Sequence, residues 1–297
     1  MEEKINYSVI IPHFTRSDTH LLERCVASIP DREDVQILIV DNSPIEIDAN
    51  LFQHRKNIQI LYSEKSKGAG CARNVGLQYA VGKWLLFADS DDFFANSYWN
   101  VIDDILNKTT ADIIYFNVDT VDSDTLCKTN RKSAIRINTL IKNFSERNDD
   151  SEDALRCNHT VPWGKVFRTS MVKEHSILFD EVPTSNDVIF SVIAGNTARE
   201  IVVSNELMYI VTSREGSLLT LKDKYSLRSR YEVAIRKSIY CQSIGKGKYV
   251  AFLGSSIKQA FMKYGFREGW WYINLLLSYH ANPFWGLRKY VMDKLNH

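Results

Sequence analysis

Long apolar runs are missing from this chain: it has no stretch of ~18 or more apolar residues, which excludes an ordinary transmembrane helix. Cysteine is sparse. Cys25, Cys71, Cys127, Cys157 and Cys241 are odd in number, far apart and without a C-x-x-C pair, which argues against a disulfide framework or a zinc site and fits a reducing cytosol. The beginning, MEEKINYSVIIP, lacks the basic and apolar regions of a secretory signal, so the expected location is cytoplasmic. The seven histidines show no H-x-x-x-H spacing, and there is no internal repeat or low-complexity tract. A charge of one sign is absent too, since a net +1 argues against a uniformly nucleic-acid-binding surface.

The charge that is present is unevenly placed. Leu221 to His297 hold 14 Lys and Arg against 4 Asp and Glu, a surplus of +10 that leaves residues 1–220 at −9. The tail also carries Phe261, Phe266, Trp270, Trp271, Tyr272, Phe284, Trp285 and Tyr290, and looks helical throughout. Aromatic and basic residues together suit an anionic membrane surface, with packing on the rest of the chain or a homo-oligomer contact as the alternatives.

Apolar patterning in the body alternates between strand and helix. Tyr7–Ile11, Val35–Val40, Ile58–Tyr62 and Trp84–Ala88 read as strands. Helical spacing separates the first pair, at Leu21, Leu22, Cys25, Val26 and Ile29, and the last pair, at Ala72–Ala80 after a Gly68-Ala69-Gly70 turn. Such winding predicts an α/β fold with a mostly parallel sheet covered by helices on both faces. Ile113–Val118 predicts another strand, and the polar residues 119–158 an excursion or mobile loop. Residues 159–220 then form a second half of the catalytic unit, with a helix at Val188–Ala194 and strand-like segments at Ile201–Val203 and Met208–Val211. A helical extension at 221–297 completes the expected order.

The richest segment is Trp84–Phe94, WLLFADSDDFF, where a buried-strand pattern stops at Asp89, Asp91 and Asp92. Ligands collect outside the carboxyl ends of strands in open α/β sheets, and Asp-x-Asp offers hard oxygens suited to Mg²⁺ or Mn²⁺. The same acids could also cap the next helix.

The order SVIIPHF, LLERCVASI, ILIVDNS, GAGCARNVGLQYAVGKWLLFADSDD, WGKVF and NDVIF resembles glycosyltransferase family 2 over roughly residues 6–218. The resemblance implies a GT-A fold, nucleotide-binding at 1–118, and inverting transfer from a nucleotide-diphosphate sugar, a UDP-hexose or UDP-N-acetylhexosamine. It also implies a glycan or lipid-linked glycan as acceptor, as in bacterial capsule or lipopolysaccharide synthesis. By position it puts Pro12, Phe14 and Asp41 at the base, and Gly70, Arg73, Asp89, Ser90 and Arg214 near ribose and diphosphate. Asp91 with Asp89 would hold the metal, Asp187 would be the general base, and Trp163, Lys165 and Asn186 would face the acceptor. Two departures stand out: Asn42 and Asn186 replace acids common in relatives. A nucleotidyltransferase of related fold and a non-catalytic glycan- or partner-binding module are the rival readings.

Overall fold

The computed structural model describes residues 5–14, 19–65, 67–213, 223–287 and 290–291. Strands β1 (Tyr7–His13), β2 (Val35–Asp41), β3 (Ile58–Tyr62) and β4 (Trp84–Phe87) pair in parallel in the order β3-β2-β1-β4. Every residue of β1 and β4 is buried, as strands covered on both faces must be. The covers are helices α1 (Thr19–Ala27) and α2 (Gly68–Tyr79). The predicted Gly68–Gly70 turn is in fact the first turn of α2. A Cβ on Gly70 would lie 1.9 Å from the carbonyl oxygen of Asp180, so glycine is required there by a crossing backbone.

Beyond β4 the acidic turn leads to β5 (Phe93–Phe94), α3 (Tyr98–Asn107) and β6 (Ile113–Asp122). Residues 119–158, expected as a polar excursion, are mostly ordered. They finish β6 and form α4 (Lys132–Ser145) and α5 (Ser151–Asn158), because Ile137, Ile141 and Leu155 supply one buried stripe beneath an otherwise polar surface. Next come β7 (Lys165–Arg168), α6 (Thr169–Glu174), α7 (Val188–Thr197) and β8 (Ile201–Ser213). The two strand-like segments at 201–211 are thus one strand, paired parallel to β6 through a register shift around Asn117. The sheet is mixed: β7 runs antiparallel between β4 and β6, which brings Lys165 toward the carboxyl ends of the parallel strands.

The tail forms α8 (Lys224–Ser243), α9 (Gly254–Tyr264) and α10 (Phe266–Ser278) around a second small core of Tyr231, Ile235, Leu253, Tyr272 and Leu276. Buried Glu268 accepts both fork bonds of Arg228, at 2.6 and 2.7 Å, and pairs with Lys224 at 2.7 Å, tying α10 to α8. The tail also docks on the body. Cys241 and Val250 pack with Cys157 and Val192, Arg236 reaches Asp180 at 2.8 Å, and Ser229 Oγ donates to the Thr184 carbonyl at 2.9 Å. No described helix is long and apolar enough to cross a membrane.

Candidate active site

The sheet delivers its polar residues to one edge. At the tip of β1, His13 sits beside Asp41 at the tip of β2. Asp41 is buried: its Oδ1 accepts from the Ser43 amide at 3.0 Å and hydroxyl at 2.5 Å, and Oδ2 from the Ile47 amide at 2.8 Å. With about four acceptor positions on a carboxylate, one remains, on Oδ2. Burial lowers the pKa of His13 against the pull of Asp41, and neither ring nitrogen meets a described hydrogen-bond partner. Pro12 is buried within the strand, whereas Phe14, just beyond it, is 47% exposed.

Past β4 the three acids separate by role. Asp89 stays partly exposed and Oδ1 accepts from the Arg73 guanidinium at 2.5 Å. Asp91 lies half-buried at the mouth, after half-buried Ser90, and its carbonyl oxygen is gripped by Arg24 at 2.9 Å and the Thr212 hydroxyl at 3.0 Å. Asp92 turns inward instead, accepting from the Thr212 amide at 2.7 Å. Burial, with Asp91 and Asp89 nearby, raises its carboxyl well above the ordinary range. Its work is to clamp the acidic turn to β8. Tyr209 completes that clamp: its hydroxyl accepts from the Asp89 amide at 2.8 Å while its ring stacks on Trp163 at 5.5 Å.

Arg73 lies in α2 with its ion pair to Asp89, a second bond to Asn186 Oδ1 at 2.8 Å, and its guanidinium 5.3 Å from the Phe179 ring centre. That bond draws in the loop before α7, where Ser185 holds φ +61°, a left-handed conformation rare for residues with a side chain. Asp187 follows at the N-cap position but makes no capping bond with its side chain, so the acid is not spent on the helix. Burial pushes its pKa up to about 6, against the lowering influence of Arg73 and Lys165.

Several expected contacts are placed differently. Lys165 is buried, its Nζ donating to the His159 carbonyl at 2.7 Å, and burial drives its pKa well down. It acts on Asp187 from within, and an acceptor at the surface is beyond its reach. Trp163 is likewise buried against Tyr209, and Asn186 is engaged by Arg73. Gly70 serves backbone packing, as its contact with Asp180 dictates. Arg214 and the neighbouring Ser217 lie outside the described residues. Phe179, Tyr209 and Thr212 escaped sequence reading; Met208–Val211 is apolar and buried throughout, so nothing in its pattern singles out Tyr209.

Among the described residues no three His, Cys, Asp or Glu side chains converge into a metal cage. What is present is Asp91 and the second oxygen of Asp89, hard donors at the end of a strand. This partial set fits a divalent cation that completes its shell with phosphate and water.

A mixed-sheet α/β scaffold with helices on both faces and acids at the carboxyl ends of its parallel strands is the architecture of the GT-A fold. The sequence profile of Glycosyl transferase family 2 matches residues 8–175, and the chain belongs to that family. It is 24% identical over 220 residues to the poly(ribitol-phosphate) beta-N-acetylglucosaminyltransferase TarS of Staphylococcus aureus, covering 71% of this chain and 36% of TarS. Identity to the poly(ribitol-phosphate) beta-glucosyltransferase of Bacillus spizizenii is also 24%, over 72% of this chain and 33% of the relative. Glycosyltransferase GlyG of Streptococcus pneumoniae is 25% identical over 80% of this chain and 81% of its own. The chain thus spans about a third of the poly(ribitol-phosphate) transferases. The solved structure of S. aureus TarS 1-349 in complex with UDP-GlcNAc superposes with a TM-score of 0.68 at 21% identity, covering 92% of this chain and 80% of that one.

The raised pKa of Asp187 makes a stability prediction. An acid whose native pKa stands near 6 against an ordinary 3.8 holds its proton more tightly when folded, so stability falls as pH rises through that window. Asp187→Asn should therefore gain about 3 kcal/mol at pH 7 and nothing below about pH 4. Urea unfolding at both pH values, with unchanged m, checks it.

Proposed function

We propose that the chain transfers a hexose or N-acetylhexosamine from a UDP-sugar to a hydroxyl of a surface glycan, with inversion at the anomeric carbon. The observation that carries this reading is Asp187: a carboxylate not used for capping, held near pH 6, beside the Arg73–Asp89 pair. In the displacement Asp187 takes the acceptor proton while the hydroxyl oxygen attacks C1 and the C1–O bond to the diphosphate breaks, its electron pair leaving with UDP. Exposed Phe14 offers a face to the base, and the remaining acceptor position of Asp41 suits an imide N–H. Arg73, already half-neutralised by Asp89, orients that acid and adds positive potential for the diphosphate. Mn²⁺ or Mg²⁺ held by Asp91 and Asp89 would offset charge developing on the leaving group. A nucleotidyltransferase attacks with a phosphate and has no use for a base on an acceptor hydroxyl, and the relatives' activities favour glycosyl transfer.

The tail supports attachment to an anionic leaflet. Met262, Phe266 and Trp270 are exposed on α9 and α10 beside Lys258, Lys263 and Arg267. Aromatics at the headgroups and basic residues around them are the features of an interfacial helix. Such contact would put the acceptor within reach if it is lipid-linked.

UDP affinity measured by calorimetry should fall at least tenfold with chelator or in Asp91→Ala; equal affinity in all three states removes the metal role. Asp187→Asn should keep UDP affinity while lowering transfer by a factor of ~10² or more. In the parent enzyme the rate should decline as pH drops through about 6, where the base protonates, and the mutant's residual rate should lack that limb. For the leaflet, co-sedimentation with anionic vesicles should weaken in salt and in Phe266→Ser/Trp270→Ser, with the tail's small core left intact. Binding that ignores both changes sinks the attachment.

A further inference from the structure

A second cavity, of about 710 Å³, lies between the loop joining α4 to α5 and the tail segments 247–249 and 284–287. It shares no residue with the crevice at the strand ends. Tyr249, Phe284 and Trp285 line the tail side, and Asn143, Asn148 and Asp149 the body side. The two walls are joined: Lys248 pairs with Asp150, and Tyr249 Oη donates to the Asp150 carbonyl at 3.1 Å. Gly286 holds the aromatic wall against the chain at φ +73°, so close that a Cβ would lie 2.7 Å from the Phe252 nitrogen. Phe284 is nonetheless 70% exposed, a large apolar ring left facing open space on a fixed turn.

The volume is that of a ligand cleft, roughly 300–1,000 Å³, with apolar walls and a few polar groups to fix orientation. The lining selects among occupants. Among the described lining residues Lys248 is already paired with Asp150, and Asp149 adds a further carboxylate, which disfavours nucleotides, phosphate polymers and anionic headgroups. An acyl chain would desolvate the amides and the carboxylate without replacing their hydrogen bonds. A neutral sugar meets both demands, since its C–H faces lie on aromatic rings while its hydroxyls reach amide and carboxylate groups.

We propose that this cavity holds a neutral oligosaccharide stretch of the growing acceptor, remote from the transfer site. That identity for the occupant rests on the glycan-acceptor reading above. An anchored polymer raises the effective concentration of its free end at the crevice, so successive transfers need no full dissociation. The cavity exists only because the tail docks on α5, which gives the tail a role in acceptor retention.

The test uses the full chain titrated with cellotetraose and with chitotetraose, followed by saturation-transfer NMR and tryptophan fluorescence. At least one tetraose should bind saturably at millimolar concentration. Phe284→Ala and Asn148→Ala, both at exposed positions, should each weaken it about fivefold or more while leaving the melting temperature and UDP affinity unchanged. Absence of saturable binding, or binding indifferent to both substitutions, overturns the proposal. So does a self-associating parent that Phe284→Ala converts to monomer, because the occupant would then be a second copy. UDP binding keeps the two readings apart: its loss with tetraose binding intact would sink the donor reading alone, and the reverse would sink the cavity alone.

Discussion

The site depends on one buried cation. Arg73 projects from the first half of the fold, binds Asp89 at the end of β4, and with its other nitrogen binds Asn186 on the loop before α7. The base candidate is the next residue. A guanidinium fork fixes direction as well as distance, so the separation of Asp89 from Asp187 is set by a rigid planar group resting on Phe179. Without it the repulsion between Asp89 and Asp187 would be opposed at Asp187 by Lys165 and at Asp89, among the described residues, by nothing beyond the clamp on its backbone. Asn186 acquires a reason in this setting. A second acid there would compete with Asp89 for the same guanidinium and lower the charge offered to a diphosphate.

Around this bridge stand three buried ionisable groups, Asp92, Lys165 and His13, and a partly buried fourth, Asp187, more than stability alone favours. Asp92, Asp187, Lys165 and His13 all have pKa values moved toward the neutral form by burial. Ionised groups kept from water are costly unless paired, and they cluster where chemistry needs them. Asp187 illustrates the balance: desolvation raises the pKa of its carboxylate, while Arg73 first, and Lys165 to a smaller degree, lower it, which leaves it at about 6. A base tuned in this way is ionised at pH 7 yet still basic enough to accept a proton in the transition state.

The parts of the fold legible in the sequence were those with a strong local signal. Predominantly apolar runs marked β1, β2 and β4, and the acids stood out because they followed directly on the last of these. The helices α4 and α5 were not legible, since their buried stripe is only a few residues wide in a segment otherwise as polar as a loop. Packing against β6 and α7 decides their state, and packing is not a local property. The site divided in the same way. Asp89 and Asp91 stood out as acids following a strand, whereas Asp187 was named only through the family resemblance. Lys165 was placed at the acceptor by family position alone, and its burial was not legible because it follows from the antiparallel insertion of β7 between β4 and β6.

The basic tail shows why net charge alone could not settle its role. Its aromatics divide into two sets: Tyr272 and Trp271 belong to the small core with Tyr231, whereas Phe266, Trp270 and Phe284 remain exposed on three different turns. One population makes the tail a folded body, held by the Glu268–Arg228–Lys224 cluster and docked through Cys241 and Arg236. The other leaves it with apolar surface that folding did not require. These rings, left exposed by a tail that already has its own core, are the surface that the proposed leaflet and acceptor contacts would use.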